Sequence, residues 1–185
     1  MVEVKGGEFK FGKEGKVVDV KTFQIDEYEV TNSLFKKFQK DFEAPAGKEN
    51  HPVVEVSFFE AQDYCKSVGK RLPTHVEWEK AARGTDGRQF PWGNEFIANN
   101  ANTVESGLNS TAAVGSYKGG KSPFGAHDMA GNVWEWVDAW DGEDKRYRLT
   151  AGGSFFDDGA KSKIYSTLKS IPDDIHTYIG FRCAK

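Results

Sequence analysis

The stretch Asp128-Met129-Ala130-Gly131-Asn132-Val133-Trp134-Glu135-Trp136 opens on a turn of small residues and runs into an alternation of bulky and acidic side chains. In an extended chain, side chains two apart fall on one face, so Trp134 and Trp136 share one side of a strand. A ring pair there, against Phe181 or Trp92, is a natural core for an aromatic sheet, and an exposed carbohydrate-stacking platform is the alternative. The composition favours rings over aliphatics: 14% of residues are aromatic, with Phe 14 and Trp 5, within a hydrophobic share of 38%. Such a chain is not disordered, and its 185 residues suit one core.

Upstream of that stretch, two helices are announced by their first turns. Ser57-Phe58-Phe59-Glu60 and Thr74-His75-Val76-Glu77 are capping boxes, in which hydroxyl and carboxylate satisfy each other's orphaned backbone donors. Ala61, Tyr64, Cys65 and Val68 follow the first at helical spacing until Gly69, and Trp78, Ala81 and Ala82 follow the second until Gly84. An earlier helix starting at Thr31 or Asn32 is expected to bury Leu34, Phe35, Phe38 and Phe42. Met1 to Phe11 and Val17 to Tyr28 alternate as strands joined by the Gly12 to Gly15 turn, and Ile179 to Cys183 reads as the last strand. From Phe90 onward the chain consists of short runs between Gly, Asn, Asp and Ser, the pattern of long structured loops. Loops of that size need a cross-link, either a metal ion or packed rings. The expectation is a single α+β domain over residues 1–185 with a loop-rich second half.

Charge and cysteine usage narrow the function classes. Twenty-five basic against 28 acidic residues, interspersed to a net −3, argue against a nucleic-acid partner. No basic stretch followed by an apolar run opens the chain, and no window has the length of a bilayer span, so no signal peptide and no membrane insertion are expected. The expectation is a soluble protein whose location, whether cytoplasm, virion or cell surface, the residues do not specify. Cys65 and Cys183 are too few for a disulfide framework and read as buried thiols more readily than as a bridge.

Taken in order, the motifs His51-Pro52-Val53-Val54-Glu55-Val56-Ser57, Gly69-Lys70-Arg71-Leu72-Pro73-Thr74, Glu77-Trp78-Glu79-Lys80-Ala81-Ala82-Arg83-Gly84, Phe90-Pro91-Trp92-Gly93-Asn94, Asp128 to Trp136, Gly152-Gly153-Ser154 and Gly180-Phe181-Arg182 resemble the formylglycine-generating enzyme (sulfatase-modifying factor) family. The resemblance runs from about Gly7 to the last residues. It implies a C-type-lectin-like fold with paired N- and C-terminal strands and two flanking helices under a large loop region. It also favours the scaffold reading of Trp134 and Trp136 over the carbohydrate platform.

The copper-dependent oxidases of that family carry two cysteines shortly after Gly-Gly-Ser, whose thiolates hold copper(I), a soft ion that needs sulfur. Here Gly152-Gly153-Ser154 is followed by Phe155-Phe156-Asp157-Asp158-Gly159-Ala160-Lys161-Ser162, and Asp157 and Ser162 stand where the resemblance puts the cysteines. No copper is expected. Ser154 and Trp134 match the oxidases' oxygen-pocket positions and, without sulfur, read as structural; Cys65 and Cys183 fall where the family has core cysteines. The iron-dependent sulfoxide synthases carry histidine ligands on a further domain, whereas His51, His75, His127 and His176 are scattered singly here. His51 reads as structural and His75, on a first helical turn, as exposed. No catalytic residue is assigned. The competing class, an enzyme working through Asp157, Asp158 and a metal, is disfavoured because adjacent side chains of an extended chain point to opposite sides. An accessory domain of a larger assembly is a third possibility.

By resemblance to calcium-binding members, one site would use Asn102, the Thr103 and Leu108 carbonyls and a residue near Ser106, with Glu105 adjacent. A second would use Asp128, the Gly131 and Val133 carbonyls and Glu135. These are hard oxygen groups of the kind calcium accepts.

The stretch from Phe155 to Ile179 departs from the family, whose members carry several arginines there. Between the fixed Gly-Gly-Ser and Gly-Phe-Arg motifs, residues 152–182 resemble the variable region of diversity-generating retroelement proteins, viral or microbial receptors whose binding residues are rewritten by adenine-directed mutagenesis. Each residue from Ser170 to Ile179 is reachable from an adenine-mutated Asn codon. Tyr, Ser, Asp and His also make up the vocabulary of antibody binding loops. The expected function is therefore a non-catalytic ligand-binding protein. Phe155, Phe156, Asp157, Asp158, Tyr165, Ser166, Ile171, Asp173, His176, Thr177 and Tyr178 would contact a protein or other macromolecule through the C-terminal face.

Overall fold

The computed structural model describes all of residues 1–185. The N-terminal alternations form one long hairpin in two ladders: β1 (Val2–Val4) pairs with β4 (Phe23–Ile25), and β2 (Gly7–Phe11) with β3 (Lys16–Val20), all antiparallel. The break falls at Gly6, where a Cβ would come within 2.8 Å of the Thr22 backbone nitrogen. The inward side chains Val4, Phe9, Phe23 and Ile25 are buried. The chain ends meet there, since Gln24 and Lys185 exchange both backbone hydrogen bonds and Ala184 bridges Ile25 and Arg71.

Three short helices follow: α1 (Asn32–Phe38), α2 (Phe58–Ser67) and α3 (His75–Arg83). Both capping boxes are complete, with Ser57 and Thr74 each accepting from the N–H of its partner Glu. The Thr31 hydroxyl caps α1 by accepting from Leu34 N–H. Two helical expectations need correction. Of the apolar side chains of α1 only Phe35 is fully inside, while Leu34 and Phe38 are 42% and 38% exposed, because a helix of two turns offers the core one narrow face. Phe38 reaches the core only edge-on, against Phe35 and Tyr64. His75 is not an exposed residue: it packs edge-on to Phe11, and burial lowers its pKa to about 4, so it is neutral near neutral pH.

The second half contains a four-stranded sheet ordered β7-β6-β5-β8, from β5 (Trp134–Asp141), β6 (Tyr147–Ala151), β7 (Thr167–Ser170) and β8 (Ile179–Gly180). β8 runs parallel to β5 and is only two residues long. Beyond it the chain leaves β5 and joins the N-terminal ladder through Cys183 and Ala184, which shortens the strand expected to reach Cys183.

Trp134 and Trp136 both enter the core beneath α2. Trp136 lies edge-on to Phe58 and donates its Nε1–H to the Val56 carbonyl at 3.0 Å, satisfying the one polar atom of a fully buried indole. Phe181 packs against Phe35 and Tyr64, whereas Trp92 stacks on Phe90 among the loops, away from this core. A second cluster beneath α3 gathers Trp78, Ala81 and Ala82 with Val4, Phe23, Ile25, Met129, Val137 and Ile164.

The expectation of two free thiols is wrong. Cys65 on α2 and Cys183 near the C-terminus form a disulfide, with Cα atoms 5.7 Å apart and both residues fully buried. Their separation of 118 residues hides a proximity created when the C-terminal segment tucks between α2 and the N-terminal hairpin. No helix is long and apolar enough to cross a membrane.

Candidate functional site

The loops are tied together by a buried ionic centre. Arg182 donates Nε–H and Nη2–H to the two oxygens of Glu135, at 2.7 and 2.8 Å, and donates further to the carbonyls of Asp26, Glu27 and His127. Burial opposes its charge, yet the carboxylates of Glu135, Glu29 and Asp128 hold the guanidinium above its ordinary pKa. Trp78 donates to the same Glu135. Asn132, held at positive φ in the turn before β5, donates to Glu29 and accepts from Ala112 N–H and Asn102 Nδ2–H. Burial first, then the nearby Asp128 charge, pushes Glu29 well above the usual carboxylate range. Burial likewise raises Asp128 against the N–H of Gly115 that it accepts.

This centre is where the second expected calcium set lies. There Glu135 is bonded by the Arg182 guanidinium, whose charge opposes a second cation beside it, and the Glu29 carboxyl lies close to Asp128. In the first set, Asn102 Oδ1 accepts from the Ser106 hydroxyl, Thr103 O from Ser106 N–H, and Leu108 N–H turns to Ser106 Oγ. The Glu105 carboxylate accepts from Gly159 N–H. That loop is closed by these internal bonds.

The loop after Gly152-Gly153-Ser154 is held by Asp157. Its Oδ2 accepts from Trp134 Nε1–H at 2.8 Å, Ser154 N–H at 3.1 Å and Ser154 Oγ–H at 2.6 Å. Gly153, at φ 78°, lies so close to Ser162 that a Cβ would approach its Oγ to 2.5 Å. Ser162 is buried and donates to the Asp158 carbonyl, while the Asp158 carboxylate accepts from Lys161 N–H on the outer side of the turn. Asp157 and Asp158 thus diverge, and neither the first pair nor Asp157 with Ser162 forms a shared site. Trp134 and Ser154 are both buried, and each serves to hold Asp157.

Two cavities flank Phe156, which is 58% exposed. One, of 530 Å³, is lined by Trp134, Ser154, Asp157, Lys161, Leu168 and Tyr178, among others; the second, of 320 Å³, by Phe42, Glu55, Asn109, Phe155 and Thr177, among others. Of the expected contact residues, Phe155, Phe156, Asp157, Ser166, Thr177 and Tyr178 line one or both cavities. His176 supports this group by stacking on Tyr178 and meeting Ser170 Oγ through Nε2. Tyr165 points elsewhere, with its hydroxyl on Gln89 and its ring beside Arg83. Asp158 is exposed on the turn, and Ile171 and Asp173 stand on a separate exposed turn that is fixed to α2 where Phe58 N–H donates to Pro172 O. Lys161, Thr167 and Leu168, and Phe42 and Asn109 from distant segments, join the cavity walls without a sequence signal that marks them.

The family described as the sulfatase-modifying factor enzyme 1-like domain matches residues 1–185. The chain is 30% identical to the inactive C-alpha-formylglycine-generating enzyme 2 of Bos taurus over 263 aligned positions, which cover all of this chain and 87% of that protein. It is 34% identical to the formylglycine-generating enzyme of Thermomonospora curvata over 170 positions, covering 73% of this chain and 55% of that one. The solved structure of Treponema denticola variable protein 1 superposes with a TM-score of 0.86 at 19% identity, over 100% of this chain and 94% of that one. The architecture is the C-type-lectin-like one that the motifs imply.

Proposed function

Because the chain belongs to the sulfatase-modifying factor enzyme 1-like family, we propose that it keeps the family's frame without the copper chemistry and serves as a ligand-binding protein whose contact face lies between Phe155 and Tyr178. The observation that carries the reading is the Asp157 loop. Where the oxidases of the family need two thiolates, Asp157 and Ser162 stand, and each is bonded within its own loop. Hard oxygen groups do not replace sulfur around copper(I). The frame beneath is stapled by the disulfide, the Arg182 centre and two capped helices, so side chains on the face can change at little cost in ordering entropy.

The face would engage a protein or other macromolecule, and its fill between the fixed motifs supports rewriting of that face by a retroelement. A near-identical, adenine-rich copy of the last third of the gene beside a reverse transcriptase is the expected genomic neighbourhood. At the protein level, replacing Phe156, Asp158, Ile171, Asp173 and Thr177 together by Ala should move thermal unfolding by only about 1 kcal/mol, as exposed positions do. A collapse of stability would mean that the face is core and would sink the reading.

A further inference from the structure

Asp157 uses its two oxygens unequally. Oδ2 takes all three internal donors, whereas Oδ1 meets only the ammonium of Lys161, at 3.6 Å. The Lys161 side chain is 70% exposed, so this long contact holds it weakly. The same cavity is lined by Trp134, Phe156 and Tyr178, the last two edge to face with centroids 5.9 Å apart, and Leu168 adds an apolar wall. Aromatic faces carry negative potential, and a cation set among them gains more as water is excluded. Asp157 and Lys161 are the only charged side chains lining the cavity.

Resting on the binding-protein reading above, we propose that this 530 Å³ cavity is a receptor for an organic ammonium group, free or borne on a lysine side chain, which takes the place that Lys161 Nζ holds beside Asp157. Lys161 acts as a resident stand-in: its cation marks the position, and its loose tether lets it swing into solvent when a better-enclosed cation arrives. An anionic ligand drawn to Lys161 would have to approach a fixed carboxylate 3.6 Å away. The exchange trades one cation for another and leaves the three bonds that hold the loop untouched.

The test compares three probes of the folded protein by NMR titration, following the Trp134 indole N–H that reports on Asp157: phenethylammonium, the similarly shaped anion 3-phenylpropionate, and a short peptide with a single lysine. The expected result is a saturable shift with a cation and none with the anion. Phenethylammonium binding alone identifies a small-molecule site, and peptide binding a lysine-reading site. Asp157→Asn keeps an oxygen for the three donors and should weaken the cation by about tenfold, Phe156→Ala by a few-fold, and Lys161→Ala should strengthen it by a few-fold. Saturable binding of the anion, silence from both cations, or a cation affinity unchanged in Asp157→Asn overturns the proposal. None of these results touches the binding-protein reading, which fails separately if the copper-loaded protein consumes oxygen with a cysteine peptide.

Discussion

Three carboxylates, Glu29, Asp128 and Glu135, share one guanidinium, that of Arg182. With its bidentate bond, Glu135 has the first claim on that charge, so the Glu29 and Asp128 pair retains a proton more readily than either group would in water. A carboxyl whose pKa is raised by folding binds its proton more tightly in the folded chain than in the unfolded one. Its contribution to stability is complete below the ordinary glutamate value of 4.5 and is lost as pH rises through the higher folded value. Glu29→Gln, which still accepts from Asn132, should therefore match the native protein below the ordinary glutamate range and be the more stable of the two at alkaline pH; denaturant titrations at an acid and an alkaline pH would show it, and an unchanged difference between the two would contradict it. Arg182→Met strands Glu135 in the core and should cost about 3–5 kcal/mol in the same measurement.

Among the elements, α2 and α3 are legible in the sequence because a capping box is local: Ser57 with Glu60 and Thr74 with Glu77 name their own partners. Ser57→Ala should cost about 1 kcal/mol of thermal stability. The disulfide is illegible for the opposite reason, since Cys65 and Cys183 meet only after the C-terminal segment has crossed beneath α2. In a chain-entropy estimate, a bridge closing so long a loop contributes about 5 kcal/mol, and Cys65→Ala with Cys183→Ala should lower the urea midpoint accordingly. An unchanged midpoint would mean that the core alone holds the two segments together. Leu34 and Phe38 show a further limit of pattern reading: spacing marks the apolar positions of α1, but whether a two-turn helix buries all of them depends on what packs over it.

In the whole molecule, the motifs mark the frame and leave the face to tertiary structure. Trp134, Trp136, Arg182 and the Gly152-Gly153-Ser154 turn are legible as a set because each is fixed by close packing or a specific hydrogen bond. The cavities on either side of Phe156 are built from segments as distant as Phe42, Asn109 and Tyr178, and no local pattern joins these. Residues expected to act together, such as Tyr165 and Tyr178, separate because β7 and the turn before it direct them to different sides. What unites frame and face is the Asp157 loop, which closes with oxygen and nitrogen groups where the motif resemblance would put the sulfur ligands of a copper oxidase. Oxygen uptake by the copper-treated protein in the presence of a cysteine-containing peptide measures that difference directly: a rate equal to the protein-free control is predicted, and copper-dependent turnover that converts the peptide cysteine would contradict it.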